Sequence, residues 1–257
     1  MIGESTRARD FPSLVGRTYL NTAAEGIPPP CVAEALAQYA AAKQLGMDGR
    51  LRHEDQWDEL RQTAGDLFGL TAEEIGICSC ASEAFNLAAM ALRLQEGDEV
   101  VITDLDFPAG ATPWLQDVCP ATVRLWKARE GGLRVDDLVP LLGPKTRLVT
   151  VSLVSFFNGF MLPLSEVIEA VRRCSDALVA VDVTQAAGRV PLSLAGVDLI
   201  VSSTHKWLLG SHGGGLVGVP AARAQEWTVQ AGGWFNLANA FEADRFERTI
   251  TRPGAAS

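Results

Sequence analysis

Lysine is scarce in this chain: the 22 basic residues include only four lysines, Lys43, Lys127, Lys145 and Lys206, so few primary amines are present to carry covalent chemistry. Bases are outnumbered by 31 acids, the net charge is -9, and no Lys/Arg run occurs. That balance excludes the basic surface needed against nucleic acid or an anionic membrane. No uncharged stretch is long enough to span a bilayer and the first residues lack the apolar core of a signal peptide, so a cytoplasmic location is expected. The five cysteines (Cys31, Cys78, Cys80, Cys119 and Cys174) are odd in number and scattered, which fits reduced thiols rather than a disulfide framework. Cys78 and Cys80 alternate with Ile77 and Ser79 along an apparent strand, so no metal site is expected on them. With only His53, His205 and His212, and no Gly-x-Ser-x-Gly, a hydrolase triad lacks its parts. Neither a P-loop nor a Gly-x-Gly-x-x-Gly turn follows the first strand, which argues against the common nucleotide-binding folds.

What is present is a chain of 257 residues, 47% hydrophobic, long enough to bury a full core. Apolar runs of strand length alternate with segments of helical period. Strands are expected at 75–80, 99–103, 122–126, 147–153, 178–183, 199–202 and 215–219, and helices at 30–45, 53–68, 82–94, 135–142 and 165–175, the last capped around Ser165 after Pro163. This predicts a three-layer α/β/α fold around a mostly parallel seven-stranded sheet. The expected organisation is an N-terminal segment over 1–20, one large domain over 21–250 and a tail over 251–257, with no C-terminal small domain.

In such sheets ligands gather at the C-terminal ends of the strands. Four of those ends carry chemistry. Strand 75–80 runs into Ala81-Ser82-Glu83 and a helix, so Ser82 is either an ordinary N-cap or, with the free backbone N–H groups, part of a phosphate cup. Strand 178–183 ends in Asp182-Val183-Thr184-Gln185, an acid at the mouth of an apolar strand. The next ends in Ser203-Thr204-His205-Lys206-Trp207 and a glycine-rich loop. A further end carries Asp106-Phe107-Pro108, where Phe107 is either a core aromatic or a stacking platform.

Together these side chains match what pyridoxal phosphate requires: an amine for its aldehyde, an anion for its ring nitrogen, donors for its phosphate and a flat partner for its ring. Lys206 is the candidate Schiff-base lysine and Asp182 the pyridinium partner. Gln185 is the expected donor to the ring oxygen, Ser82, Ser203 and His205 the phosphate ligands, and Phe107 the platform.

The segment from Asp182 to Gln185, followed by Ser203-Thr204-His205-Lys206-Trp207 and the glycine-rich loop, resembles the cofactor motif of class V aminotransferases and cysteine desulfurases. Tyr19-Leu20-Asn21-Thr22-Ala23-Ala24 is similar to the family's substrate-proximal N-terminal motif, Ala81-Ser82-Glu83 to its phosphate-binding Thr-Thr-Glu, and Arg245-Phe246-Glu247 to its late Arg-Phe-Glu. The resemblance implies a pyridoxal-phosphate enzyme acting on an amino acid through a Lys206 aldimine, by transamination, C–S lyase or desulfurase, or epimerase chemistry. A homologue that binds cofactor or a protein partner without turnover is the alternative. Asn21 and Ala23 are implied near the substrate and Ala81 near the phosphate. A homodimer is also implied, with Thr249 a candidate for the neighbour's phosphate site. Phe107 stands where desulfurases carry histidine, as in the isopenicillin-epimerase-like and kynureninase-like branches. The segment Ser155-Phe156-Phe157-Asn158 has phenylalanine where desulfurases have asparagine, which leaves Asn158 as the candidate contact near the ring oxygen.

Overall fold

The computed structural model describes residues 3–227. Seven strands form one sheet: β1 (Ile75–Cys78), β2 (Glu99–Thr103), β3 (Thr122–Trp126), β4 (Thr146–Ser152), β5 (Leu178–Asp182), β6 (Leu199–Ser203) and β7 (Gly215–Gly218). Their spatial order is β1-β7-β6-β5-β4-β2-β3. Pairings β2 with β3 and β4, β4 with β5, and β5 with β6 are parallel, while β7 runs antiparallel to both β1 and β6. The short glycine-rich connection from β6 to β7 returns the chain directly, which is the antiparallel solution, whereas the other strands are joined by crossovers.

Side chains alternate between the two faces of the sheet, as the strand period requires. On β4 and β5, Val149, Val151, Val179 and Val181 enter one core, and Leu148, Leu178 and Ala180 enter the other. The first core is covered by α3 (Met47–Phe68) and α7 (Leu164–Cys174), which contribute Ala64, Phe68, Val167 and Val171. The second is covered by α4 (Ala81–Ala91) through Ala84, Phe85 and Ala88, and by Trp114, whose Nε1 donates to Gly110 O at 2.8 Å. Three short or peripheral helices, α1 (Glu4–Asp10), α5 (Pro108–Ala111) and α6 (Val135–Leu138), and the longer α2 (Pro30–Lys43) complete the arrangement.

Several boundaries differ from expectation for local reasons. Helix α3 begins at Met47 rather than residue 53, after Gly46 at φ +62°. Gly49 lies inside it because α2 passes so closely that a Cβ there would sit 1.9 Å from Ala42 O. Strand β1 stops at Cys78, where Ser79 N donates to the Glu83 carboxylate at 2.6 Å and Cys80 becomes the N-cap of α4. Segment 135–142 is not one helix: α6 passes into a 3-10 turn, Val139–Leu141, at Pro140, which lacks an N–H. Helix α7 opens at Leu164 with Pro163 as N-cap, so Ser165 is inside the helix and does not cap it. Arg245, Phe246, Glu247 and Thr249 lie outside the described residues.

Behind the strand ends, Arg172 of α7 reaches Asp198 at 2.6 Å and also donates to Ala177 O and Gly196 O. Asp198 is only 5% exposed and accepts Val179 N at 2.7 Å. The Asp198→Ala variant should lose about 2 kcal/mol, because it leaves the Val179 amide unpaired in a buried site and takes from Arg172 its charged partner; urea denaturation measures this.

Candidate active site

Because β7 is antiparallel to both neighbours, β1 and β6 run the same way, and the ends of β1, β2, β4, β5 and β6 converge on one edge of the sheet. A cavity of about 130 Å³ opens there. Its lining includes Ala81, Ser82, Phe107, Asp182, Gln185, Ser203, His205 and Lys206, all expected from the sequence.

Lys206 is 8% exposed, and its Nζ lies 4.6 Å from the centre of the Phe107 ring. Asp182, 6% exposed, ends β5 and accepts Thr184 N at 2.8 Å. Burial raises the Asp182 carboxyl above its usual range, against the Thr184 hydrogen bonds and the charge of Lys206. Burial likewise lowers the Lys206 ammonium, against Asp182 and Glu25. Both charged forms are therefore costly here, and a ligand cation beside Asp182 would relieve one of them.

Two hydrogen bonds join the strand ends. Thr184 Oγ accepts Ser203 N at 3.0 Å, Ser203 Oγ accepts Ala81 N at 3.0 Å, and Ala81 begins α4. This chain of bonds brings the helix N-terminus to the Lys206 strand. The Cys80 thiol at that N-terminus is held below its ordinary value, chiefly by the Glu83 N–H.

A strap from the N-terminal segment crosses the site. Gln185 Nε2 donates to Ala23 O at 2.8 Å, and its Oε1 accepts Trp207 Nε1 at 2.7 Å. Gly26 N donates to His205 O at 2.8 Å. Tyr19 Oη donates to Glu25 O at 2.8 Å, and Glu25 meets His212 Nε2 at 2.9 Å. The His212 ring stacks on His205, with centroids 4.1 Å apart. Burial, followed by the nearby His212, lowers the His205 imidazolium.

Asn158 is the expected contact that the structure does not bring to the cavity. Its amide donates to Gly131 O at 2.7 Å and its oxygen accepts Phe160 N at 3.0 Å, so the side chain shapes its own loop. Phe156 lines the cavity in its stead and meets Phe107 edge-on, with centroids 5.1 Å apart. Asn21 and Ala23 are not cavity-lining residues; Ala23 bears on the site through its carbonyl and Gln185. Cys80, Ser152, Phe156 and Thr184 line the cavity without having been anticipated. The position of Ser152 and Thr184 beside expected strand ends was the available signal. Among the described residues there is no cluster of three metal-ligating side chains, and no helix is long and apolar enough to cross a membrane.

The fold and the site together define an α/β protein of the pyridoxal-phosphate-dependent transferase fold, with a buried lysine at the strand edge. The aminotransferase class-V family model matches residues 18–248, and the chain belongs to that family. It is 32% identical over 232 residues to a probable cysteine desulfurase of Mycolicibacterium paratuberculosis, covering 84% of this chain and 33% of that protein. To an uncharacterized aminotransferase of Bacillus subtilis it is 27% identical, covering 90% of this chain and 63% of that one. Among solved structures, a C-DES mutant with glycine covalently linked to its PLP cofactor matches with a TM-score of 0.81 at 26% identity, over 90% of this chain and 63% of that one. The apo cysteine desulfurase of Thermococcus onnurineus NA1 matches in fold with a TM-score of 0.84 at 22% identity, over 99% and 65% of the two chains. The chain thus spans between a third and about two thirds of the length of these relatives.

The closeness of the strap to the lysine turn yields a direct test. A Cβ on Gly26 would lie 2.0 Å from Lys206 O. Gly26→Ala is expected to lower stability by about 1–3 kcal/mol, measured by thermal denaturation of the cofactor-free protein.

Proposed function

We propose that this chain binds pyridoxal phosphate covalently through Lys206 and uses it on an amino-acid substrate. The observation that carries this reading is the Lys206 amine: it is buried, faces an aromatic ring at 4.6 Å, and is electrostatically coupled to the buried Asp182. The residues present fit the group. Asp182 would hold the ring nitrogen, whose positive charge offsets the cost of the buried carboxylate. Phe107 would lie against the ring face. Ser82, the N-terminal amides of α4, Ser203 and His205 would meet the phosphate. Gln185 retains one amide hydrogen for the ring oxygen beyond the one given to Ala23 O.

When bound, the cofactor supplies an electron sink that makes the α-proton of an amino acid removable. The chain's own contribution is an amine whose ammonium form is lowered by burial, able to bond an aldehyde and, once freed, to accept a proton at Nζ. Relatives named as cysteine desulfurases and aminotransferases support an amino acid as the substrate and C–S cleavage or transamination as the reaction class. A cytoplasmic homodimer belongs to the same reading. Leu36, Tyr39, Leu51 and Trp57 stand exposed on α2 and α3 among the described residues, an apolar face that a second copy would cover.

Borohydride treatment of the protein with added pyridoxal phosphate should fix the cofactor on Lys206, located by peptide mass mapping. In Lys206→Ala the visible band and the labelled peptide should both be absent, and a full-strength band in that variant would overturn the assignment. Asp182→Asn should weaken cofactor binding about 30-fold or more, equivalent to about 2 kcal/mol, because it removes the partner of a buried cation; fluorescence titration measures this. Bonding requires the neutral amine, so its rate should rise with pH toward the Lys206 titration. That rise should lie lower on the pH scale than for a solvated lysine.

A further inference from the structure

Asp106 has no part in the reading above, yet it sits one residue before Phe107 and joins two strand ends. Its Oδ1 accepts Ser152 N at 2.7 Å and its Oδ2 accepts Thr103 N at 3.2 Å. Thr103 closes β2 and Ser152 closes β4. The β2–β4 ladder has its last residue pair at Val101 and Val149, so beyond that point this carboxylate links the diverging strands. The turn is pinned at two further places, where Asp104 Oδ1 accepts Ala128 N at 2.8 Å and Leu105 O accepts the Ser155 hydroxyl at 3.1 Å. Phe107 leaves this anchored turn as the N-cap of α5, with its ring beside Lys206 Nζ. On the other side, Ser152 is the register partner of Asp182 across β4 and β5, so the two acids flank one residue.

We propose that Asp106 is a positioning residue of the Lys206 site: bridging β2 and β4 with its carboxyl, it fixes the Phe107 ring. Part of this inference rests on the cofactor reading and part stands without it. Burial pushes the Asp106 carboxyl up to about 7, against the Thr103 and Ser152 N–H groups and the Ser152 hydroxyl, with the Asp182 charge adding to the rise. The neighbours on β2 and β4, Thr103 and Ser152, are neutral. Asp182 on β5 is the charged group that bears on Asp106, and Lys206 after β6 bears in turn on Asp182.

A carboxyl that binds its proton more tightly folded than unfolded stabilises the native state fully below the unfolded value, about 4, and loses that contribution as pH rises through the folded value. Asp106→Asn carries no charge at any pH. Between about pH 5 and pH 8 the melting temperature of the cofactor-free variant should therefore gain roughly 3 °C or more relative to the unmodified protein. A gap for Asp106→Asn that does not change with pH would overturn the reading of Asp106 as a desolvated bridging carboxyl. Infrared titration of the unmodified protein and of Asp106→Asn assigns the band: a protonated-carboxyl band that persists toward about pH 7 and is lost in the variant supports the proposal, and loss of that band by about pH 5 in the unmodified protein, or its full persistence in the variant, contradicts it.

The Phe107 part is read by pyridoxal-phosphate affinity, expected to fall about 10-fold in Asp106→Asn. Unchanged affinity in that variant would overturn the positioning role. Absence of binding in the unmodified protein would instead sink the cofactor reading, and the two titrations would then decide Asp106 by themselves.

Discussion

The site rests on the burial of an acid and an amine at neighbouring strand ends. Asp182 and Lys206 are each less than a tenth exposed, and neither is neutralised by a close ion pair among the described residues. Removing two charges from water is costly, and such groups persist only where the surrounding structure leaves them no other place to go. Here the constraint is the sheet. β5 and β6 are buried along their whole length, so whatever follows their last apolar residue emerges at the edge beneath the loops. The Thr184, Ser203 and Ala81 bonds then prevent that edge from opening.

The antiparallel β7 matters to the same edge. It lies between β6 and β1, and so brings the β1–α4 junction within one strand of the lysine turn. The approach is tight: a Cβ on Gly215 would fall 2.6 Å from Cys78 Sγ and 3.0 Å from the Cys80 backbone. Only a residue without a side chain lets the helix N-terminus sit there. The strap over residues 19–26 closes the opposite side, where Gly26 meets the His205 carbonyl. Backbone contact at both places explains why small residues surround a site whose working groups are large.

The central strands β2, β4, β5 and β6 were legible in the sequence because their apolar runs are buried on both faces, and Asp182, Ser203 and Lys206 stood out because each interrupts or ends such a run. Ser165 misled because a serine after proline looks like a cap, whereas helix geometry had already begun at Leu164. Asn158 misled for a different reason. The expectation came from the asparagine that desulfurases carry in this segment, but the loop here turns at Gly159, φ +74°, and the amide is spent on Gly131 and Phe160. Thr184 and Asp106 were on the page as letters, but their roles are hydrogen bonds to backbone amides 19 and 46 residues distant. Pairings of that kind depend on register, which a pattern of residue types does not carry.

Phe107 and Phe156 give the cavity its character. Edge-to-face packing between them puts an apolar wall beside Lys206, with Phe107 39% and Phe156 40% exposed. An ammonium against an aromatic face gains cation–π attraction, yet it loses hydration, and burial is the largest cause of the lowering of the Lys206 ammonium. A histidine in place of Phe107 would add a titratable neighbour and, when protonated, a second positive charge close to the amine. Phenylalanine leaves Asp182 and Glu25 as the charges that oppose the fall. The wall therefore lies beside the amine without introducing a protonation of its own, and the site's response to pH comes from Lys206, the acids around it and His205.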